Sequence, residues 1–565
     1  MDIKRTIITV ILAMLILMGW EKMFPTPVAQ NTAQQASAPV ATNAPANNTT
    51  ASPLQTTSPI TVQTDLVKAV IDEKSGMLNG LTLRQYNASA DENKEFVLLS
   101  DGKPLTYVAQ SQLIDETGKN LLEGVSFTAT QKNYELQGDQ LEVRLSAPEQ
   151  NGLQINKVYT FTKNSYVINV RFEVNNNSGI TRNIATSYNI VRDNSEPEGE
   201  GWFMRSYHGP VVYTPDADEF EKVDYSDLDK DFQSGKSEAE YQRKATGGYV
   251  GMIQHYFATA WIMQPENGEN LCTNACAIDI KRLAENLYSA GANTAAVSVA
   301  AGSNKTFAAN LYAGPQVTSI LKTVAPKFVL TKDYGRVHIF AAPLFALLNW
   351  LHSIVKNWGW AIVLLTIIVK AILYPLNDKA YKSMAKMRTV APKLEALKKQ
   401  YGEDRMAMQQ AMVELYRKEQ INPLGGCLPI LIQMPIFIGL YWMIFLSVEL
   451  RQAPWFGWIS DLSRPDPFFI LPILMAATMW FQTKLSPPPT DPAQAQMMKI
   501  MPLLFSIMFF FFPAALVLYY VTNNLLTIAQ QWHINKKIAA QSAVGAVEIL
   551  DKEPTVNNKK NNKKK

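Results

Sequence analysis

The chain has 565 residues, 47% hydrophobic and 18% charged, with a formal net charge of +4. So small a surplus over this length excludes a chain-wide nucleic-acid surface, and three cysteines exclude a disulfide scaffold. No P-loop, G-x-G-x-x-G, H-E-x-x-H or G-x-S-x-G motif occurs, so the chain is not expected to hydrolyse nucleotide or to be an enzyme of those classes.

His208, His255, His338, His352 and His533 are scattered, which argues against a zinc cluster. No cofactor is expected. The mean hydropathy of -0.07 averages a polar half and an apolar half.

Lys4 and Arg5 precede the apolar run Thr6–Trp20. The residues after it, GWEKMFPTP, lack a small-x-small cleavage site. The pattern predicts an uncleaved transmembrane anchor over 1–24 with its N-terminus in the cytoplasm. Residues 25–59 carry no charge and consist mostly of Pro, Ala, Asn, Gln, Thr and Ser, which predicts a flexible linker.

From 60 to 330 the pattern changes to short alternating segments: LEVRLSA (141–147), NKVYTFT (156–162), YVINVRFEV (166–174) and GYVGMIQHYFATAWIM (248–263). Turn signals stand between them, such as Asn176-Asn177-Ser178-Gly179 and Asn267-Gly268. Many short strands at this spacing predict an all-β sandwich. After an anchor with its N-terminus inside, this domain is expected outside the cytoplasm. Cys272 and Cys276 pair there if the compartment is oxidising. Acidic residues are plentiful, but no pair stands out as catalytic.

Residues 334–357 carry Val337, Phe340, Leu344, Leu347, Leu348, Leu351, Ile354 and Val355 at helical spacing. His338, Asn349, His352 and Lys356 fall between them. This predicts an amphipathic interfacial helix, with Pro343 marking its start.

Trp358–Leu376 is long enough to span a bilayer, since 19 residues at a ~1.5 Å rise give roughly 28 Å. It contains one charge, Lys370. A lysine at mid-membrane costs about 2.5–3.5 kcal/mol. Thr366 and Tyr374 lie four residues to either side, on the same helical face. Two readings stand: the stem snorkels toward Asn377 and Asp378, or the stripe is a functional polar site.

Asn377–Ile421 holds ten basic and six acidic residues. Apolar residues recur at steps of three and four on either side of Tyr401-Gly402-Glu403-Asp404. This predicts a cytoplasmic helical hairpin, whose charge suits a ribosome or targeting factor and anionic lipid headgroups. The alternative is a solvated helical pair of structural use only. Asn422–Leu446 is a span in which Pro429 and Pro435 interrupt the hydrogen bonding and Gln433 is the mid-span polar residue. Ser447–Pro467 is an outer loop with Trp455 and Trp458 at interface level. Phe468–Phe481, Met497–Phe512 and Ala514–Trp532 complete five core spans over 358–533, the last two joined at Pro513. The last carries Tyr519, Tyr520, Thr522, Asn523 and Asn524. The tail, 534–565, ends in lysines and is expected in the cytoplasm.

By these residues the membrane half resembles the YidC-type membrane protein insertases. The resemblance rests on VKAILYPL (369–376), YKSMAKMR (381–388), INPLGGCLPILIQMPIF (421–437), SVELRQAPW (447–455), LSPPPTDPAQAQMMKIMP (485–502) and FPAALVLYYVTNN (512–524). Anchor, large β-domain and five-span core together look like the Gram-negative form, whose β-domain resembles a galactose-mutarotase sandwich. The resemblance implies a bacterial inner-membrane protein that inserts and helps fold nascent membrane proteins. They would enter a polar, positively charged groove open to cytoplasm and lipid, alone or with the Sec translocon. It implies groove residues Lys370, Thr366, Tyr374, Gln433, Tyr519, Tyr520, Thr522 and Asn523. The family usually has arginine where this chain has Lys370, which keeps the charge and loses the bidentate fork.

Two other functions fit parts of the pattern. A small-anion transporter or channel would use the same lysine, but no internal hydropathy repeat is evident in the core spans. A tethered sugar-binding or sugar-modifying protein would act through 60–324 alone.

Overall fold

The computed structural model describes residues 56–88, 93–102, 105–197, 205–233, 241–265, 270–332, 334–402, 404–419, 428–485 and 506–550, with single positions at 496, 500 and 504. The anchor, the linker up to residue 55, the Asn267-Gly268 turn, the head of the Asn422 span, part of the span at 497–512, the 486–496 loop apart from 496 and the end of the tail lie outside these residues. The chain divides into two compact units.

The first unit is a β-sandwich. Among the described residues its sheets have eleven and nine strands, antiparallel except where Pro59–Gln63 runs parallel to Asn133–Glu135. Strict alternation builds the core. On Val167–Asn176, Ile168, Val170, Phe172 and Val174 point inward and their neighbours do not. The segment 248–263 is two strands, Tyr249–Gln254 and Phe257–Ile262, paired as a hairpin around His255-Tyr256. Every residue of both strands is buried, so the apolar run reflects cover on both faces. Trp261 anchors the hairpin through Nε1–H to the Asn189 carbonyl at 3.1 Å. Cys272 and Cys276 form a disulfide. Two short helices belong here, α1 (Tyr225–Gln233) and α2 (Thr318–Val324). So does the tetrapeptide Leu446–Glu449. Its Val448 lies in the sandwich core, and Glu449 pairs with the buried Lys332 at 2.9 Å.

The second unit is helical: α3 (His338–Val355), α4 (Trp358–Tyr401), α5 (Arg405–Lys418), α6 (Leu428–Phe445), α7 (Ile470–Leu485) and α8 (Ala514–Leu550). α3 begins at His338 after a 3-10 turn, so Pro343 lies inside the helix rather than at its start. Ala341, Phe345, Leu348 and Leu351 form its buried face. α6 lies close against it: a Cβ on Gly439 would stand 2.7 Å from the Phe340 Cβ.

Lys356 takes a left-handed conformation and closes α3, its N–H donating to the His352 carbonyl. Asn357 then caps α4, accepting from the Trp360 N–H at 3.1 Å. α4 runs 44 residues without a break, through Pro375 and Pro392. The span at 358–376 and the first hairpin helix are therefore one helix, where the sequence suggests a boundary at Asn377. The hairpin turns where expected. Asp404 caps α5 by accepting from the Met406 and Ala407 N–H groups, both at 3.1 Å, and Lys393 pairs with Glu419 across the hairpin at 2.6 Å.

Pro429 falls in the first turn of α6, where a missing N–H is harmless. Only Pro435 lies inside that helix. The buried Asp466 orders the loop before α7, accepting from Trp458 Nε1 at 2.9 Å and the Leu471 N–H at 2.7 Å. The first N–H groups of α8 donate to the carbonyls of Arg464 and Leu462, which satisfies donors that a helix start leaves open.

By length and composition His338–Val355 and Trp358–Met387 are long and apolar enough to cross a membrane, and Gln433–Phe445 and Ile470–Leu485 are shorter apolar stretches. The helices also expose large apolar side chains outward, among them Trp350, Ile372, Ile473, Phe481 and Leu525. Such a surface suits lipid rather than water.

Candidate functional site

The polar stripe of α4 forms as the spacing predicts, but it turns as it descends. Four-residue steps advance a helix by roughly 40° beyond a full turn. Thr366 is accordingly buried at 1% exposure, Lys370 is half-buried, and Tyr374 is 47% exposed. The Thr366 hydroxyl donates back to the Ile362 carbonyl at 2.7 Å. The Lys370 ammonium reaches across to α8 and donates to Thr527 Oγ1 at 2.8 Å. Among the described residues Lys370 forms no ion pair. Its partner there is a hydroxyl, and no carboxylate among the described residues offsets its charge.

Beside it lies a cavity of about 290 Å³ lined by Ile367, Lys370, Ala371 and Tyr374 of α4 and by Leu526, Gln530 and His533 of α8. Of the eight residues the sequence nominates, Lys370 and Tyr374 line this cavity. Gln433 of α6 donates to the Tyr519 hydroxyl of α8 at 2.8 Å, tying those helices together. Tyr520 packs in an aromatic cluster, its ring centre 5.1 Å from Phe437 and 4.8 Å from Phe509. The Thr522 hydroxyl donates to the Leu518 carbonyl of its own helix. Asn523 Oδ1 is buried with no hydrogen-bond partner among the described residues.

Sequence reasoning missed Thr527, Gln530 and His533. A signal was present: Asn523, Thr527, Gln531 and Asn535 recur every four residues and mark one polar stripe of α8. Gln530 Nε2, Gln531 Oε1 and Asn535 Nδ2 are buried and, like Asn523 Oδ1, have no partner among the described residues. Buried amide atoms of this kind are ordinarily satisfied by water or by a bound group.

Comparison with known proteins bears on this arrangement. Residues 59–347 match the model of the YidC periplasmic domain, and 350–541 match that of the 60Kd inner membrane protein. The membrane protein insertase YidC of Neisseria meningitidis serogroup C is 60% identical over 548 residues, 97% of this chain and all of that protein. The chain belongs to the YidC family of membrane protein insertases. Its sandwich is the family's periplasmic domain, and its helices belong to an inner-membrane protein. A crystal structure of an active YidC insertase covers 84% of the chain at 21% identity with a TM-score of 0.39. A galactose mutarotase related enzyme from Lactobacillus acidophilus covers 45% at 8% identity with a TM-score of 0.30.

Proposed function

We propose that the chain inserts nascent membrane proteins by way of a cationic polar groove between its helices, with Lys370 at the centre. Thr366, Tyr374, Gln433, Tyr519, Tyr520, Thr522 and Asn523 are the other groove residues in this reading. The observation that carries it is the Lys370 ammonium beside a cavity, with a hydroxyl as its partner and no carboxylate among the described residues. An acidic residue of a client tail meets hydrocarbon at high cost when unpaired. A half-buried cation offsets that charge while the tail crosses, and the client's apolar span then moves into lipid by its own hydrophobicity. No nucleotide is needed for these steps.

The same reading divides the chain into anchor (1–24), linker (25–59), sandwich (60–330), interfacial helix (334–357), five-span core (358–533) with its hairpin, and basic tail (534–565). Both termini, the hairpin and the 486–496 loop face the cytoplasm. The hairpin and tail receive a ribosome or targeting factor and rest on anionic lipid. The groove works alone or beside the Sec translocon. The Cys272–Cys276 disulfide supports this orientation, because such bonds persist in oxidising compartments.

The test is insertion of two matched clients, one with an acidic and one with a neutral translocated tail, at equal expression. Lys370→Arg keeps the charge and should insert both. Lys370→Met keeps most of the stem and should slow the acidic client by roughly tenfold, the factor that ~1.4 kcal/mol of lost compensation gives. Equal insertion of both clients by Lys370→Met would remove the cation from the mechanism.

A further inference from the structure

We infer that Thr527 is a positioning residue, whose hydroxyl holds the Lys370 ammonium where it acts. The argument is a count of hydrogen bonds at one oxygen. A threonine hydroxyl has one hydrogen to donate and two lone pairs to accept with. The Thr527 hydroxyl spends its hydrogen on the Asn523 carbonyl, 2.8 Å away one turn earlier in α8. Both lone pairs are then left to accept. Lys370 Nζ donates to one at 2.8 Å. Thr527 is buried.

The backbone bond fixes the rotation of the Thr527 side chain, and its orientation aims the lone pairs at α4. The lysine stem has four rotatable carbons and would otherwise sample the cavity and the helix end. Thr527 selects one position. The choice of threonine follows. Valine has nearly the same shape and no acceptor, whereas serine keeps the oxygen, its hydrogen and the same link to the backbone.

This inference rests on the reading of Lys370 as the groove cation, so its test separates the two. Full-length protein in lipid vesicles is treated with a water-soluble amine-acylating reagent, and modification of the Lys370 peptide is quantified by mass spectrometry. Thr527→Val should raise Lys370 acylation by roughly threefold or more, because a lysine stem freed from its acceptor carries the amine toward water. Thr527→Ser should match wild type. Insertion of the acidic and neutral clients is then compared. Thr527→Val should lose the acidic client selectively and Thr527→Ser should restore it, whereas a purely structural defect would slow both clients alike.

Unchanged or lower acylation in Thr527→Val overturns the positioning role, whatever insertion does. A selective rise in acylation with an unchanged client ratio supports the positioning role and overturns the part assigned to Lys370 in insertion.

Discussion

Lys157 occupies a place that alternation reserves for an apolar side chain. It stands on the inward face of the strand Leu153–Thr162, between Ile155 and Tyr159, and is 1% exposed. Its ammonium donates to the Ser111 carbonyl at 3.0 Å and lies 5.1 Å from the Phe172 ring centre. Burial pushes its pKa down from 10.5 to about 7. The sign of the stability effect follows. Above pH 7 the folded protein has released this proton and the unfolded chain still holds it, so stability rises with pH until about 10.5. The full window is worth on the order of 4–5 kcal/mol. Lys157→Met should stabilise the sandwich near pH 7 and flatten this slope, read as the difference in urea midpoint between mutant and wild type by pulse proteolysis of the full chain at pH 7 and pH 9. Equal midpoint differences at the two pH values would refute it. The histidine His208, near pH 4, titrates below this window, and Lys332, also lowered by burial, is common to both proteins. Residue-level detail of this kind was only half legible. NKVYTFT reads as a strand and puts residues 155, 157 and 159 on one face, but the pattern does not say that the face bearing a lysine is the inner one. Lys370 was legible because a charge in an apolar run needs a reason. Thr527 was legible only through the four-residue stripe it shares with Asn523, Gln531 and Asn535, because a threonine in an apolar helix needs no reason of its own.

The helices show which boundaries a sequence marks. The turn at 401–404 and the break at Pro513 were visible because glycine, proline and an aspartate cap leave local traces. A span end at Asn377 would be a change of solvent, which leaves no mark on the backbone: α4 passes through that point without interruption. The close approach of α3 and α6 left no trace beyond one glycine. Any side chain at 439 meets Phe340, with the Cβ atoms 2.7 Å apart. Gly439→Val should therefore lower the stability of the purified protein by about 1–3 kcal/mol, the usual cost of overpacking. Adding Phe340→Ala should return part of that loss, which thermal unfolding in detergent would register. An additive double mutant would mean that the two helices do not meet there. The hairpin of α4 and α5 carries its own expectation. Its two helices are joined by the Lys393–Glu419 pair and present exposed Met406 and Val413. Removing 382–418 while keeping the spans should cut insertion severalfold. Undiminished insertion would leave the hairpin a structural role alone.

At the scale of the molecule the proposals concern which parts insertion needs and where they lie. Cysteines placed in the hairpin should be protected from an impermeant thiol reagent added to the periplasmic side, and cysteines placed on the sandwich surface should react. The reverse pattern would invert the topology. The sandwich holds its own core, and the sequence marks no catalytic pair in it, so its bulk is expected to be dispensable. The place of the cut matters, however. Leu446–Glu449 belongs to the same compact unit as the sandwich, with Val448 in that core and Glu449 bonded to Lys332, whose side chain is 1% exposed. Removing one partner of a buried ion pair costs about 3–5 kcal/mol because the other charge is stranded. Deleting 60–317 leaves α2, Lys332 and the partner of Glu449 in place and should retain most insertion activity. Extending the deletion through Lys332 strands Glu449 and should lose stability and activity together. Adding Glu449→Gln to the longer deletion removes the stranded charge and should recover stability. Insertion by each variant, normalised to the amount of intact protein in the membrane, decides between the outcomes. Full loss of insertion by the shorter deletion, stably present, would show that the sandwich does more than it has been assigned.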